Sequence, residues 1–187
     1  GGIMAVRRIN KYGEPILKKK TKKVDFQSIK NEIPSILKDM YDTMYSVNGI
    51  GLAANQMGLD MQLSIINFKD KEKNKDINLV IINPVIVFYD GEVVEEEGCL
   101  SFPGLFAKVK RYKDIAVNAL NEKGFPIEVK ASGLLSRALQ HEIDHLNGIT
   151  FIDRLPFTQR LRLKPTLLKL KKQWKKIDES KLKPEVM

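Results

Sequence analysis

Both histidines of the chain fall within one short run, QHEIDHLNG from Gln140 to Gly148, where they stand one helical turn apart at His141 and His145. Residues four apart project from the same face of an α-helix, so the two imidazoles can reach a single ion. Leu134 and Ala138 lie on that face one and two turns earlier and would form an apolar wall beside it. Glu142 is turned by about 100° from His141. It can therefore serve a water beside the ion without itself being a ligand. Metal-assisted hydrolysis needs that set: a Lewis acid, an acidified water and a carboxylate that moves its proton. A surface helix with chance histidines would look the same on spacing alone, but here every histidine is in the motif.

The rest of the chain supplies a sheet to surround it. MQLSIINF, NLVIINPVIVFY, IAVNAL and FPIEVKA are β-rich segments bounded by turn residues, and KDKEKNKD between the first two reads as a solvated loop. Apolar residues at helical spacing run from Phe26 to Val47, with Pro34 delaying or kinking the first turn and Asn48-Gly49 ending the helix, the glycine taking the left-handed backbone. Strands clustered mid-chain with helices before and after predict an α+β fold, a mostly antiparallel sheet packed around the central histidine helix, with an additional C-terminal helix. At 187 residues, 43% of them hydrophobic, the expectation is a single domain over 1–187. Its core covers about 9–153, and a basic helical extension covers 157–187. No apolar run approaches a membrane span, and the N-terminus lacks the pattern of a secretory signal. Gly1 and Gly2 ahead of Met4 read as a remnant, so the expected location is a bacterial cytoplasm or, if a transit peptide was removed, an organellar matrix.

A third ligand is not found downstream of the histidines. Phe151 stands where an extended H-E-x-x-H motif would carry another histidine, and no acid follows Asp153 until Asp178. Upstream, EEEGCLSFPG places the lone cysteine, Cys99, at a backbone bend between Gly98 and Pro103-Gly104. A lone cysteine is more often a small core residue. Here its thiolate would complete a Cys-His-His set that leaves one tetrahedral position open, as a catalytic rather than a structural site requires. Thiolate ligation admits iron(II) as well as zinc. With one cysteine there is no intramolecular disulfide, which fits a reducing compartment.

A further segment, GIGLAANQ from Gly49 to Gln56, lacks the third glycine of a dinucleotide fingerprint. It reads either as a tightly packed turn or as a loop whose backbone approaches an extended substrate, with the Gln56 amide free to donate. In this order GIGLAANQ, EGCLS and QHEIDHLNG resemble the three signature motifs of the peptide deformylases, metallohydrolases that remove the N-formyl group of nascent polypeptides. YGEPILKKKTKKV resembles that family's N-terminal strand and turn. The resemblance implies that Cys99, His141 and His145 are the metal ligands and Glu142 the general base and then acid. It implies that Gln56 and the Leu100 backbone N–H bind the formyl oxygen. Ile50, Leu134 and Ala138 would line the methionine pocket, while the loop at Ile50-Gly51 and the strand leading to Gly98 would pair with the peptide backbone. The implied cofactor is one divalent ion, natively Fe2+, with Zn2+, Ni2+ or Co2+ as alternatives in a purified sample. The pattern departs at Phe106, where the family often has an arginine, and at Arg137, where it often has a small or apolar residue. Arg111 is expected to brace Asp144 behind the ligand helix.

The formal charge of +9 fits solubility or an anionic partner. After Pro165 the residues Leu167, Leu170, Trp174 and Ile177 recur at helical steps, with lysines on the other faces. Such a helix either packs its apolar stripe on the domain or offers its lysines to ribosomal RNA, the partner that the resemblance implies. Membrane binding is not expected. Two other functions compete: a zinc endopeptidase, which would cut internal peptide bonds, and a nucleic-acid-binding module with a structural metal.

Overall fold

The computed structural model describes residues 6–182, with side chains to Lys175. Five antiparallel strands follow one another in the sheet in chain order: β1 (Gly51–Ala53), β2 (Leu63–Asp70), β3 (Lys75–Gly98), β4 (Phe106–Leu120) and β5 (Pro126–Ser132). KDKEKNKD is less loop than expected. Asp70 ends β2 by accepting the N–H groups of Glu72 and Lys73 at 3.0 and 3.2 Å, and Lys75 already begins β3. β3 pairs with β2 only as far as Ile82. There Asn83 takes a positive φ, the register shifts, and the strand continues beside β4 alone to Gly98. The sequence pattern ended this strand at Tyr89. Its second half looks like a turn and an acid run, DGEVVEEE, but it pairs with β4 from Glu92 to Gly98, with an exposed Glu92–Lys110 pair at 2.6 Å across the two strands.

Helix α1 (Phe26–Ile29) is a single turn, and α2 (Ile33–Ser46) follows with Pro34 in its first turn, where a missing N–H costs nothing. Asn48, not Gly49, takes the left-handed backbone at its end, with φ 53°. Asparagine tolerates that region better than other side-chain-bearing residues. Met40 and Met44 pack on Leu52, Leu63, Ile65 and Ile82 in one half of the core. Helix α3 (Gly133–Leu146) fills the other half, where Leu139 and Ile143 meet Ile66, Ile81, Ile115 and Val117. Gln140 fastens α3 to β4 by exchanging hydrogen bonds with the backbone of Tyr112, at 2.8 and 3.0 Å.

The end of α3 is closed by residues far from it in sequence. Thr21 donates to the Leu146 carbonyl through both its N–H and its hydroxyl, and Asn55 donates to the His145 carbonyl at 2.6 Å. Gly148 follows at φ 72°, where a Cβ would lie 2.7 Å from the Lys18 backbone, so only glycine lets the two segments cross. The anticipated N-terminal strand is absent among the described residues. Gly13 turns the chain, Pro15–Lys18 forms a 3-10 turn, and extended backbone leads on to α1. Helix α4 (Phe157–Leu182) also begins earlier than the segment after Pro165, which lies inside it. Leu167 is buried with Phe102, Phe151 and Leu155, and Leu170 packs against the same cluster. The Ile177 side chain lies outside the described residues. Among the described residues no helix is long and apolar enough to cross a membrane.

Asp153 stabilises the turn that carries the chain from α3 to α4. It accepts hydrogen bonds from the Thr150 N–H at 2.7 Å and from Lys18 Nζ at 2.6 Å. Burial pushes its pKa up, but these bonds win and hold it below the ordinary aspartate value of 3.8. A folded-state pKa below the unfolded one stabilises fully above the ordinary value, and the contribution is lost as pH falls through the depressed one. Asp153→Asn should lower the thermal midpoint at neutral pH and flatten its decline in acid. An acid limb identical to wild type would rule this out.

Candidate metal centre

α3 carries His141 and His145 to the point where β3 ends. Gly98 closes the strand, and Cys99 starts a turn in which its carbonyl accepts the Phe102 N–H at 2.9 Å. Cys99 Sγ lies 3.2 Å from His145 Nε2, and the two Nε2 atoms lie 3.2 Å apart. These three donor atoms all lie within 4.8 Å of one another, close enough to hold one metal ion. A cation satisfies all three at once. His141 Nδ1 faces Glu97 Oε2 at 3.1 Å, and a carboxylate can only accept, so in the neutral imidazole Nδ1 carries the proton and Nε2 turns its lone pair to the cluster. Burial presses both imidazoles toward neutrality. Burial and the neighbouring His141 hold the pKa of His145 well down, whereas Cys99 and Glu97 overcome burial and raise that of His141.

Behind the cluster lies an ion pair network. Arg111, from β4, donates to both oxygens of Glu97 at 2.8 and 3.0 Å and to Asp144 of α3 at 2.5 Å. All three side chains are buried, and Arg154 reaches Asp144 from the surface at 2.9 Å. Burial works against ionisation of Glu97, yet its hydrogen bonds from His141 and Arg111 draw its pKa down to about 2. Glu142 is the opposite case. It is also buried, but the hydrogen bond it accepts from Ser64 Oγ is long, at 3.4 Å, and burial lifts its pKa to about 7. Near neutrality it can therefore both accept and release a proton. Gly51 makes room for it: a Cβ there would stand 2.5 Å from Glu142 Oε1.

Gln56 sits in a 3-10 turn after β1, Ala54–Met57. Its Oε1 accepts the Ala53 N–H at 3.0 Å, which fixes the amide so that Nε2 points at Ser101 Oγ, 3.0 Å away, and at Cys99 Sγ, 3.6 Å away. A cleft of about 590 Å³ opens from this point, and Ile50, Gly51, Gly98, Leu100, Leu134 and Ala138 are among its walls. Ile50 and Leu134 are 41% and 40% exposed, so apolar surface faces the opening rather than the core. The Phe106 ring lies over Gly98, where a Cβ would meet it at 2.6 Å, and Arg137 reaches toward the Glu96 carbonyl at the rim. Every sequence-predicted site residue thus lies in one region. Glu97, Ser101, Ser64 and Lys11 were not anticipated. Glu97 was hidden in an acid run that reads as solvated, Ser101 was quoted within EGCLS but given no role, and Ser64 and Lys11 carry no motif.

A donor cluster that opens onto a cleft beside a carboxylate balanced near neutrality belongs to the metal-dependent hydrolases. Comparison with known proteins is more specific. The family model of polypeptide deformylase matches residues 6–161. The peptide deformylase of Elusimicrobium minutum is 49% identical over 91% of this chain and 99% of its own length. A peptide deformylase structure from Legionella pneumophila superposes with a TM-score of 0.79 at 39% identity, covering 96% of this chain and all of that one. One from Acinetobacter baumannii, with Met-Ala-Ser bound, gives 0.76 at 31% identity over 82% of this chain and 100% of that one. The chain belongs to the polypeptide deformylase family, the metal-dependent hydrolases that remove the N-formyl group of nascent peptides. A divalent metal is accordingly the cofactor, and neither the endopeptidase nor the nucleic-acid-binding alternative finds support.

Removing Arg111 leaves two buried carboxylates facing each other. Arg111→Ala should cost about 3–5 kcal/mol of stability, the range for breaking a buried ion pair from one side. Denaturant titration checks it; a loss under about 1 kcal/mol, the worth of an exposed pair, would contradict this role.

Proposed function

We propose that Cys99, His141 and His145 together hold the divalent ion, natively Fe2+, with Zn2+, Ni2+ and Co2+ able to replace it, and that the remaining cleft residues work around it. The observation that carries this reading is the convergence of the three donor atoms within 4.8 Å. The ion, when bound, supplies Lewis acidity at the formyl carbonyl and acidifies the attacking water. Glu142 takes the proton from that water and returns it to the leaving amine, so that formate and a free N-terminus are released. Its pKa of about 7 suits both transfers. The Gln56 amide, exchanging its Ser101 hydrogen bond for the substrate, and the Leu100 N–H hold the formyl oxygen as charge develops on it. Donors so placed are worth roughly 2.7–4 kcal/mol of barrier each.

Ile50, Leu134 and Ala138 receive the methionine side chain, and its adaptable thioether suits their apolar surface. The peptide continues extended along Gly51 and the end of β3 at Gly98, where β2 has already left and the backbone edge of β3 is free of it. The related A. baumannii protein with Met-Ala-Ser bound supports a methionine at this position. We place the protein in a bacterial cytoplasm or an organellar matrix, where nascent chains carry the formyl group.

The test is anaerobic preparation with iron or nickel, followed by assay on a formyl-Met peptide with formate and peptide fragments measured together. Formate without fragments is expected; fragments would sink the reading. Glu142→Gln with metal content unchanged should slow formate release by at least about a hundredfold, and near-normal release would remove Glu142 from its role.

The lysines of α4 give a second element of this proposal, contact with ribosomal RNA near the exit of the nascent chain. Lys169, Lys171, Lys172 and Lys175 are exposed while Leu167 faces the core. Co-sedimentation with ribosomes should weaken steeply between about 50 and 200 mM salt. Association that ignores salt, or none at low salt, would count against it.

A further inference from the structure

Three consecutive residues near the start of the chain each hold one part of the site. The Asn10 N–H donates to the Gln56 carbonyl at 2.6 Å, Lys11 Nζ to the Leu100 carbonyl at 2.8 Å, and the Tyr12 N–H to the Ser101 carbonyl at 2.9 Å. Gln56 and Leu100 carry the two groups assigned above to the formyl oxygen, and they come from segments that the sheet does not register against each other. Gln56 stands in the turn after β1, while Leu100 stands beyond the last β3–β4 pair, Gly98–Phe106. Asn10–Tyr12 is therefore a strap across both donors. We infer that Lys11 is a positioning residue for the reaction, fixing the Cys99–Leu100 turn at the correct distance from Gln56, and that α4 holds Lys11 in place through Trp174.

The placement of α4 supports its part. The Trp174 ring centroid lies 5.2 Å from Lys11 Nζ, within range of a cation–π contact. Lys171 lies against Gly13, where a Cβ would come 2.9 Å from its Cγ. Tyr12 packs on Phe102, which is buried with Leu167. A single flexible lysine would be a loose tether. With an aromatic face on one side and a carbonyl on the other, its ammonium has a defined position. Lys11 also borders the cleft, so a direct contact with substrate is the rival role.

This inference rests on Gln56 and Leu100 binding the formyl oxygen, and its test separates the two ideas. In the metal-loaded full chain, Lys11→Met should lower kcat about tenfold to a hundredfold, the scale of a misplaced donor. KM and metal content should stay near wild type, and Lys11→Arg should restore most of the loss. Trp174→Leu should act in the same direction but more weakly. Hydrogen exchange of the segment around Leu100 should quicken in Lys11→Met, a readout that does not depend on turnover. The double variant Lys11→Met/Gln56→Ala should lose less than the product of the two single losses, because both act through one oxygen site. A raised KM with kcat unchanged would make Lys11 a substrate contact and overturn its positioning role. A slow Gln56→Ala beside a normal Lys11→Met would overturn the strap alone. Gln56→Ala with unchanged kcat would remove the donor reading and the strap with it. Wild-type kcat in Trp174→Leu would overturn the part assigned to α4.

Discussion

The guanidinium of Arg111, buried between Glu97 and Asp144, is the contact on which the other features of the site depend. It ties β4 to the end of β3 on one side and to α3 on the other, and these two elements carry the sulfur and the imidazoles. Buried ion pairs seldom add net stability, since desolvation offsets most of the attraction. What they do is penalise alternatives. The second half of β3 has charged residues on both faces, so slippage by two residues would cost its apolar pattern little. Such a slip would separate Glu97 from Arg111, taking two hydrogen bonds from a buried carboxylate and leaving the guanidinium with Asp144 alone. The register that places Gly98 and Cys99 beside α3 is thereby the one register the buried charges allow.

The same network sets the chemistry of the donors. Arg111 and His141 keep Glu97 ionised, with a pKa near 2, and an ionised Glu97 fixes the proton of His141 on Nδ1. Nε2 then faces the cluster as a lone pair. Asp144, one residue before His145, is held by two arginines and leaves the end of the helix rigid. Polar burial on α3 is extensive, with Ser136, Gln140, Glu142, Asp144 and His145 all inside. Gln140 and Ser136 are satisfied by the Tyr112 backbone and Asp144 by Arg111. Among the described residues, Glu142 has only the long contact from Ser64, and His145 Nδ1 is buried without a hydrogen-bond partner. The fold satisfies the polar groups that hold the helix and leaves less satisfied two of those that face the cluster and the cleft.

What could be read from the sequence follows from how local each feature is. The histidine helix, the cysteine turn and the glycine loop were legible because rare residue types at short spacing point to one chemistry, and because Gly98 and Gly148 mark backbone bends. The four apolar strands were legible from β-rich segments between turn residues. The second half of β3 was not, since what makes it a strand is its pairing with β4, which its own pattern does not show. Glu97 was lost for the same reason: among Glu95, Glu96 and Glu97 only the last faces inward, and only the pairing with β4 decides which. The helical extension from residue 157 was legible, but its apolar stripe was read only after Pro165, because a proline looks locally like a boundary, although it lies inside α4. Lys11 belongs to a run of cations near the N-terminus, and nothing in that run distinguishes it from its neighbours.

Position, finally, explains why so much structure outside the sheet gathers at Cys99. A hydrogen-bonded ladder defines a strand to within a fraction of an ångström, but the last β3–β4 pair is Gly98–Phe106, and the residues that matter most lie just beyond it. A free turn at that point would carry both the sulfur and the Leu100 N–H on unregistered backbone, whereas acceleration by preorganised donors depends on their being held before the reaction begins. The chain replaces the missing ladder with contacts from three directions. Phe102 anchors the turn in a cluster with Phe151 and Leu167, Ser101 receives the Gln56 amide, and the segment at Asn10–Tyr12 binds it from above. The Cys99 sulfur thus lies past the end of a strand rather than on it, and the N-terminal segment and α4 supply the contacts that the ladder does not.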